Sequence, residues 1–267
     1  MNYILIDGSY YCFYRYYALI AWWKNAHPDE ELGIPYENEL FVEKFKSTFK
    51  DKIKEIPKKL KLKPDTCKII FAKDCSRSDI WRMNNEKTYK ANRVYDSTFM
   101  GGPFFKLAYE ELIPNILPNA MIYCDNLEAD DCIAIASKCI FKLKLDATLY
   151  IITSDTDYLQ LLRPNLFIYT LKYKELKESK HYCGDPEKYL FCKILMGDKS
   201  DNIEGIFKKC GQKTADKCWE DDAYFQEKLN KECALEKYEK NKKLISFDEI
   251  PKEKIKEFVE KNINKIN

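Results

Sequence analysis

The chain has 267 residues, which allows one large α/β domain or one domain with a small appendage. Its 45 Lys and Arg residues nearly balance 43 Asp and Glu residues, so the net charge of +2 creates no overall field that would attract nucleic acid, a membrane or an acidic substrate. A hydrophobic fraction of 45%, with only 8 Gly and 10 Pro, excludes a disordered or fibrous chain.

The histidine and cysteine counts exclude several kinds of chemistry. His27 and His181 are too isolated in sequence to indicate a zinc hydrolase or a Ser-His-Asp enzyme. The 11 cysteines form no C-x-x-C pair and no secretory signal is evident, so we expect reduced thiols in an intracellular protein, cytoplasmic or nuclear. The longest apolar run, residues 16–23, is shorter than the ~20 residues of a membrane helix, so we expect a soluble protein with no membrane partner.

Five short apolar runs predict buried strands, most of which stop at an acid or a turn residue. They cover residues 3–9, 67–74, 120–125, 147–155 and 166–169. Helical patterns lie at about 9–24, 38–56, 103–113, 127–142 and 156–162. This alternation predicts a doubly wound, mostly parallel α/β sheet, in which ligands bind at the carboxyl ends of the strands.

Two segments depart from this alternation. Residues 77–102 mix basic and aromatic side chains, Tyr95 among them, and predict a long insertion after the second strand. For individual cations of this insertion, a solvated helix face is the alternative interpretation. Beyond about residue 184 the strand pattern stops, which predicts a helical second region at 184–267 after a core at 1–183.

Acidic residues recur at the predicted strand ends and helix starts. They are Asp7, Asp74, Glu128, Asp130, Asp131, Asp155, Asp157, Asp198 and Asp201. Any one of them could be a helix cap, but capping needs one acid per helix, and here acids come in pairs or triplets at three places. Carboxylates gathered at one edge repel each other unless a cation lies among them. Oxygen ligands without His or Cys select Mg²⁺ or Mn²⁺, so the sequence predicts such a metal site.

Five segments in order resemble the signatures of the 5′-nuclease family. They are residues 4–9, 89–93, 128–131, 154–161 and 196–203. The family comprises flap endonucleases and the 5′–3′ exonuclease domains of bacterial DNA polymerase I and of phages. The resemblance covers about residues 3–220 and implies a PIN-like fold with a helical arch at 77–102. It also implies a duplex-DNA-binding region at 184–267 with a helix-hairpin-helix type element at about 199–220.

The resemblance implies a two-metal mechanism. One Mg²⁺ ion would lie among the acids from Asp7 to Asp155, and a second nearer Asp157, Asp198 and Asp201, with Mn²⁺ as a substitute. Such ions clamp the scissile phosphate and activate a water. Lys90 and Arg93 match catalytic cations that reach over the site to the phosphate.

The predicted nucleic-acid contacts fall in two places. Near the site they are Gly8, where a side chain would crowd the phosphate, and Arg82 and Tyr89 of the insertion. At the hairpin they are Lys208, Lys209, Gly211, Lys213 and Thr214. The hairpin is one residue longer than in the family and lacks its first glycine, so a K⁺ site there stays open. Lys208 and Lys209 are predicted to contact phosphate instead.

The resemblance implies a structure-specific 5′ nuclease acting on DNA with a 5′ flap, nick or overhang, or on an RNA/DNA primer, as a monomer. The phage-like residues 241–251 are compatible with a viral protein acting in the infected host cell. One alternative is a catalytically weak or inactive DNA-binding member of the same fold, but every acid of the motifs is present. A haloacid-dehalogenase-type phosphatase needs D-x-D on the first strand, where this chain has Asp7, Gly8 and Ser9.

Overall fold

The computed structural model describes residues 1–94, 96–180 and 182–267, so Tyr95 and His181 lie outside the described residues. Five strands form one parallel sheet in the order β3-β2-β1-β4-β5. Their bounds are Asn2–Asp7 for β1, Cys67–Ala72 for β2, Met121–Ile122 for β3, Thr148–Ile152 for β4 and Leu166–Tyr169 for β5. The predicted parallel sheet is confirmed, although most of the apolar runs extend past the strands into the turns that follow.

The strands carry apolar side chains on both faces of the sheet, and helices cover both faces. In β1, Tyr3 and Leu5 point into one core, whereas Ile4 and Ile6 point into the other. A strand that is covered on both sides appears in the sequence as a continuous run of apolar residues. This is why β1 was recognisable from the sequence.

Helices cover both faces of the sheet. Helices α1 (Gly8–Ala26) and α2 (Glu39–Lys59) pack on one face, and α6 (Ala129–Leu143) packs on the other. The predicted helix at 103–113 is α4 (Gly102–Leu107) and α5 (Ile113–Ile116), joined by the π-helical turn Ala108–Leu112. The predicted helix at 156–162 is instead a 3₁₀ helix, Thr156–Leu161.

The insertion at 77–102 contains a 3₁₀ turn, Arg77–Asp79, and one short helix, α3 (Trp81–Asn85). Residues 88–93 of the insertion lie against the loop around residue 200, whereas Phe99 packs against Phe13 and Tyr16 of α1. The Asn202 side chain donates to the Thr88 carbonyl at 2.8 Å, and the Asn92 side chain donates to the Lys199 carbonyl at 2.7 Å. The insertion is thereby held to the start of the second region.

Five helices follow residue 184. They are α7 (Pro186–Met196), α8 (Gln212–Glu220), α9 (Asp222–Lys231), α10 (Leu235–Ile245) and α11 (Lys252–Ile266). Helices α7, α8 and α9 share a small core, whereas α11 places Phe258 and Ile266 in the core of the sheet. The division into regions 1–183 and 184–267 stays a prediction, and α11 packs with the first of them.

Helix α11 also binds the backbone of β3, which is an edge strand. The Asn262 side chain donates to the Tyr123 carbonyl at 2.9 Å, and Lys265 donates to the Met121 carbonyl at the same distance. Within the described part of the chain, no helix is long and apolar enough to span a bilayer.

Candidate metal centre

The strand order brings acids from distant parts of the sequence together. Strands β2 and β4 lie on opposite sides of β1, so the chain leaves the sheet in two directions at its carboxyl edge, where doubly wound folds bind ligands. Asp7 ends β1, Asp74 follows β2 and Asp155 follows β4. These three acids line one cavity of about 530 Å³ together with Glu128 and Asp130.

Asp7 and Asp155 are helix caps as well as cavity residues. Asp7 Oδ1 accepts from the Tyr10 amide at 3.1 Å at the start of α1, and Asp155 Oδ1 accepts from the Asp157 amide at 2.9 Å. Burial, together with the charges of Asp74 and Asp155, raises the pKa of Asp7 to about 7. Capping therefore explains part of the pattern, but it leaves carboxylates crowded in one cavity.

The acids at the start of α6 form a compact group. Glu128, Asp130 and Asp131 each offer an oxygen within 4.8 Å of the others. Burial and the neighbouring charges of Asp131 and Glu128 raise the pKa of Asp130 well above its usual range. A bound cation would lower that pKa again, so this group has the electrostatics of a cation site.

Asp131 differs from its neighbours because it is fully buried and already paired. Both of its oxygens accept from the guanidinium group of Arg82 at 2.8 Å, and Oδ2 also accepts from Trp81 Nε1 at 2.9 Å. Asp131 therefore belongs to the acidic group, but Arg82 and Trp81 already bind its carboxylate.

A second acidic group lies beside the first. Asp157, Asp198 and Asp201 also offer oxygens within 4.8 Å of one another. Lys193 of α7 lies among them, with its Nζ 2.9 Å from Asp198 Oδ2 and in contact with Asp157. Burial opposes ionisation of Asp198, but Lys193 and hydrogen bonds from Ser200 outweigh it and lower the pKa of Asp198 to about 2.

The sequence reasoning missed Lys193. A signal existed, because Lys193 is a single charged residue inside the otherwise apolar run 189–196, where a buried lysine needs an acidic partner. The residue is only 8% exposed. Asp157 and Asp198 are its partners.

Tyr89 and Lys90 of the insertion connect the two acidic groups, and Arg93 binds the second of them. Lys90 Nζ contacts Glu128 and lies 3.7 Å from Asp201 Oδ2, and Arg93 donates to Asp201 Oδ1 at 2.6 Å. The Tyr89 hydroxyl lies 3.1 Å from both Glu128 Oε2 and Asp201 Oδ2. Lys90 and Arg93 also line the cavity, as a role over the site requires.

Two predicted nucleic-acid contacts need correction. Arg82 and Tyr89 are each only 2% exposed. The Nε of Arg82 donates to the Leu244 carbonyl at 2.8 Å, and its terminal nitrogens donate to Glu128 and Asp131, so four of its five N–H groups are bound inside the protein and the buried side chain does not reach a phosphate. The physical reason is that cations between two buried carboxylates are held inside the protein, whereas the sequence pattern indicated only a basic surface.

The reason for glycine at position 8 also differs from the prediction. A Cβ on Gly8 would lie 2.4 Å from the Ala72 carbonyl oxygen and 2.6 Å from the Tyr109 hydroxyl. Close packing of α1 against β2 therefore excludes a side chain here. Crowding of a phosphate is not needed to explain the glycine.

The predicted hairpin residues lie at the surface, where α8 begins. Lys208, Lys209, Gly211 and Lys213 are exposed, and Thr214 is partly exposed. Gly211 is the N-cap residue of α8, and a Cβ there would meet no atom within 4 Å among the described residues. Their contact with nucleic acid stays a prediction.

Comparison with known proteins defines the class of this fold and site. Residues 2–185 match the family model for the 5′-3′ exonuclease, N-terminal resolvase-like domain, and the chain belongs to this family. A 5′-3′ exonuclease of Mycoplasmopsis pulmonis is 27% identical over 213 residues, which are 77% of this chain and 62% of the relative. One of Bacillus subtilis is 33% identical over 147 residues, 52% of this chain and 47% of the relative. The chain thus spans about half to two thirds of the length of these relatives.

Solved structures of bacteriophage T5 share the fold over the whole chain. A T5 protein co-crystallized with metal ions gives a TM-score of 0.71 at 19% identity and covers 100% of both chains. A T5 flap endonuclease in a complex with DNA and metal ions gives 0.69 at 19% identity, covering 100% of this chain and 99% of that one. The predicted family resemblance and PIN-like α/β fold are confirmed.

Proposed function

We propose that this chain is a divalent-metal-dependent, structure-specific 5′ nuclease that hydrolyses phosphodiester bonds near junctions of single-stranded and duplex nucleic acid. The observation that carries the proposal is the meeting of five carboxylates with Lys90 and Arg93 in one cavity at the carboxyl edge of the sheet. Membership in the 5′-3′ exonuclease family supports nuclease activity. The presence of the whole acid set supports catalysis over a role in DNA binding alone.

The donor atoms fit hard divalent cations. Both acidic groups offer carboxylate oxygens only, and burial together with the neighbouring carboxylates raises the pKa values of Asp7 and Asp130. One ion would be held by the five acids that line the cavity, which are Asp7, Asp74, Glu128, Asp130 and Asp155. Asp131 is fully buried next to them. Asp157, Asp198 and Asp201 would hold a second. Bound there, Mg²⁺ or Mn²⁺ supplies a water of lowered pKa and stabilises the leaving oxygen.

Lys90 and Arg93 supply the fixed positive charge of the site. Arg93 binds Asp201 through Nη2 and the Ser200 carbonyl through Nε, and its side chain is 52% exposed, so among the described contacts its Nη1 group is left to meet a phosphate oxygen. Lys90 is held between Glu128 and Asp201, which fixes its ammonium group at the cavity wall. Donors that are already in place stabilise developing charge without reorganisation.

The substrate we propose is DNA with a 5′ flap, nick or overhang, or an RNA/DNA primer, bound by a monomer. The exposed start of α8 supports a duplex contact, because free backbone amides at a helix start bind phosphate and Lys208, Lys209 and Lys213 add positive charge. The solved T5 complex contains DNA, which supports this substrate class.

The test is cleavage of a 5′-labelled flap substrate with Mg²⁺ or with chelator. Asp155→Asn is expected to slow cleavage by about 100-fold or more, since it removes a ligand charge worth several kcal/mol to the transition state. Asp125→Asn is the matched control, because Asp125 also follows a strand but its side chain is 87% exposed and away from the cavity. Absence of Mg²⁺-dependent cleavage by the wild type, or unchanged cleavage by Asp155→Asn, would overturn the proposal.

A further inference from the structure

A second cavity of about 190 Å³ lies between α1, α2 and the loop after β5. Helix α1 contributes Tyr14 and Arg15, and α2 contributes Lys52, Glu55 and Lys59. The α2 residues are spaced by three and four, so they share one face of that helix. No sequence motif and no acid of the metal centre belongs to this cavity.

Arg15 is the central cation of this cavity. Its Nε is buried and has no hydrogen-bond partner within the described part of the chain. Buried donors without a partner are rare and costly, so the described chain leaves the guanidinium group of Arg15, which lines the cavity, without an acceptor of its own and able to bind an anion there. Arg15 also forms no salt bridge with any described residue.

The other groups around the cavity favour an anion. Among the residues that the structure describes, Glu55 is the one acid that lines it, and Lys52 binds both of its carboxylate oxygens, at 2.9 and 2.8 Å. This leaves the charges of Arg15 and Lys59 in excess. Burial and the charge of Glu55 raise the pKa of Tyr173 to about 12, so its hydroxyl stays protonated and able to donate.

The cavity is separated from the metal centre by little more than one side chain. Tyr10 lines the metal cavity, and its hydroxyl accepts from the amide of Leu171, which lines the second cavity, at 3.0 Å. The rings of Tyr10 and Tyr14 lie 6.2 Å apart. From Gly8 to Arg15, α1 rises by about 10 Å, a distance that a few nucleotides of one bound strand can span.

We infer that Arg15, Lys59 and Tyr173 form a phosphate-binding site for a backbone phosphate of the same nucleic acid, two or three nucleotides from the bond that is cut. The inference rests on the proposed function for the identity of the ligand. A free phosphate or nucleotide has the same chemistry, but the cavity adjoins the metal centre along α1, which favours a phosphate that arrives as part of the bound strand.

The experiment measures binding of fluorescent 5′-flap DNA to the full chain in chelator, by anisotropy over a range of salt concentrations. The variant Arg15→Gln with Lys59→Gln is expected to bind about 5- to 10-fold more weakly and to lower the slope of log K against log salt by about 0.7 to 0.9, the value of one phosphate contact. The control Lys50→Gln with Lys54→Gln removes the same charge from the opposite face of α2, where both residues are exposed. Equal slopes for variant and control would overturn the inference.

A second measurement locates the phosphate. Single neutral methylphosphonates are placed along the strand, and we expect one position at which the wild type loses affinity and the double variant does not. If no position behaves in this way, the strand contact is wrong. Calorimetric titration with inorganic phosphate tests the other source of the anion. If the wild type binds inorganic phosphate and the double variant does not, while both bind DNA equally, the cavity binds free phosphate and the inference is overturned.

The outcome can be separated from that of the proposed function because binding is measured without metal and cleavage is measured with it. A wild type that does not cleave DNA but shows the slope difference would refute the nuclease proposal and keep the phosphate site. A wild type that cleaves DNA, together with equal slopes for variant and control, would support the nuclease proposal and refute the phosphate site. Unchanged melting temperatures of the variants show that each is folded.

Discussion

The guanidinium group of Arg82 binds the carboxylate of Asp131 through both terminal nitrogens, and each nitrogen lies 2.8 Å from an oxygen. This pair is almost completely buried behind the metal centre, with Arg82 2% and Asp131 0% exposed. It connects α3, which comes from the insertion, to α6, whose N-cap residue and first turn carry three of the acids. Arg82 is therefore a positioning residue that fixes the direction of the acidic group.

Removal of this buried cation is expected to destabilise the protein strongly. Arg82→Leu leaves the Asp131 carboxylate buried without its partner, which costs about 3–5 kcal/mol of unfolding free energy. Urea unfolding measures the loss. Lys138→Ala is the control, because its pair with Asp248 is exposed and contributes about 1 kcal/mol or less. A loss in Arg82→Leu no larger than in the control would contradict the positioning role.

The metal-free protein is expected to lose stability as the pH rises from about 4 to about 7. The pKa of Asp7 rises from its ordinary value near 4 to about 7 in the folded state, so in this window the folded protein binds more protons than the unfolded chain. Stability therefore falls with rising pH, and the raised pKa values of Asp130 and Asp155 act in the same direction.

Asp7→Asn is expected to flatten this pH dependence, since the amide keeps an acceptor for the Tyr10 amide but carries no charge. Thermal unfolding in chelator at several pH values measures the effect, with Asp125→Asn as the exposed control. A profile of Asp7→Asn that is as steep as that of the wild type would show that this carboxyl group is not the source.

Lys193→Met is expected to strengthen Mn²⁺ binding at the second acidic group. The ammonium group of Lys193 lies among the acids that would hold the ion, so its charge opposes a dication. The half-saturation concentration of Mn²⁺, followed by electron paramagnetic resonance, should fall several-fold. In chelator the same variant should melt at a lower temperature, because Asp157 and Asp198 lose their partner.

Lys188→Met is the control for this comparison. Lys188 lies on the same helix, α7, but its ion pairs are with Asp216 and Glu220 and not with the acids of the second group. Its Mn²⁺ binding should match that of the wild type. If both variants bind Mn²⁺ alike, the lysine at position 193 does not compete with the ion.

Gly8→Ala is expected to cost about 1–3 kcal/mol of stability, since its Cβ would overlap the Ala72 carbonyl and the Tyr109 hydroxyl and the backbone would have to move. Gly102→Ala, at an exposed position with open space among the described residues, should change stability by no more than about 0.5 kcal/mol. Chemical unfolding of both variants measures the loss of unfolding free energy. Similar losses would mean that α1 can shift to accommodate the Cβ of Gly8→Ala without destabilising the protein.

The sheet and the acids at its edge were predictable because each signal is local. Residues such as Ile4 and Ile6 mark a strand, and the acid that follows must lie at the carboxyl edge when the strands are parallel. Asp7 and Asp155 therefore followed from the sequence, although the strand order did not. The order depends on how helices pack across the sheet, and no single segment records it.

The cations of the site were less predictable because their role depends on distant partners. Arg82 and Arg93 occur in the same basic segment, yet Arg82 is enclosed by α6 and α10 while Arg93 is half exposed. Sequence spacing does not distinguish a cation at the surface from one between buried carboxylates. Lys193 was missed for a similar reason, since its partners Asp157 and Asp198 lie on other segments.

The binding of α11 to β3 also bears on how these molecules behave at high concentration. An edge strand with free backbone groups is a template for pairing with another molecule, and here Asn262 and Lys265 occupy carbonyl groups at that edge. Fraying of α11 would uncover the strand together with the apolar surface under Phe258. Helix α11 thus protects the edge of the sheet from pairing with another molecule.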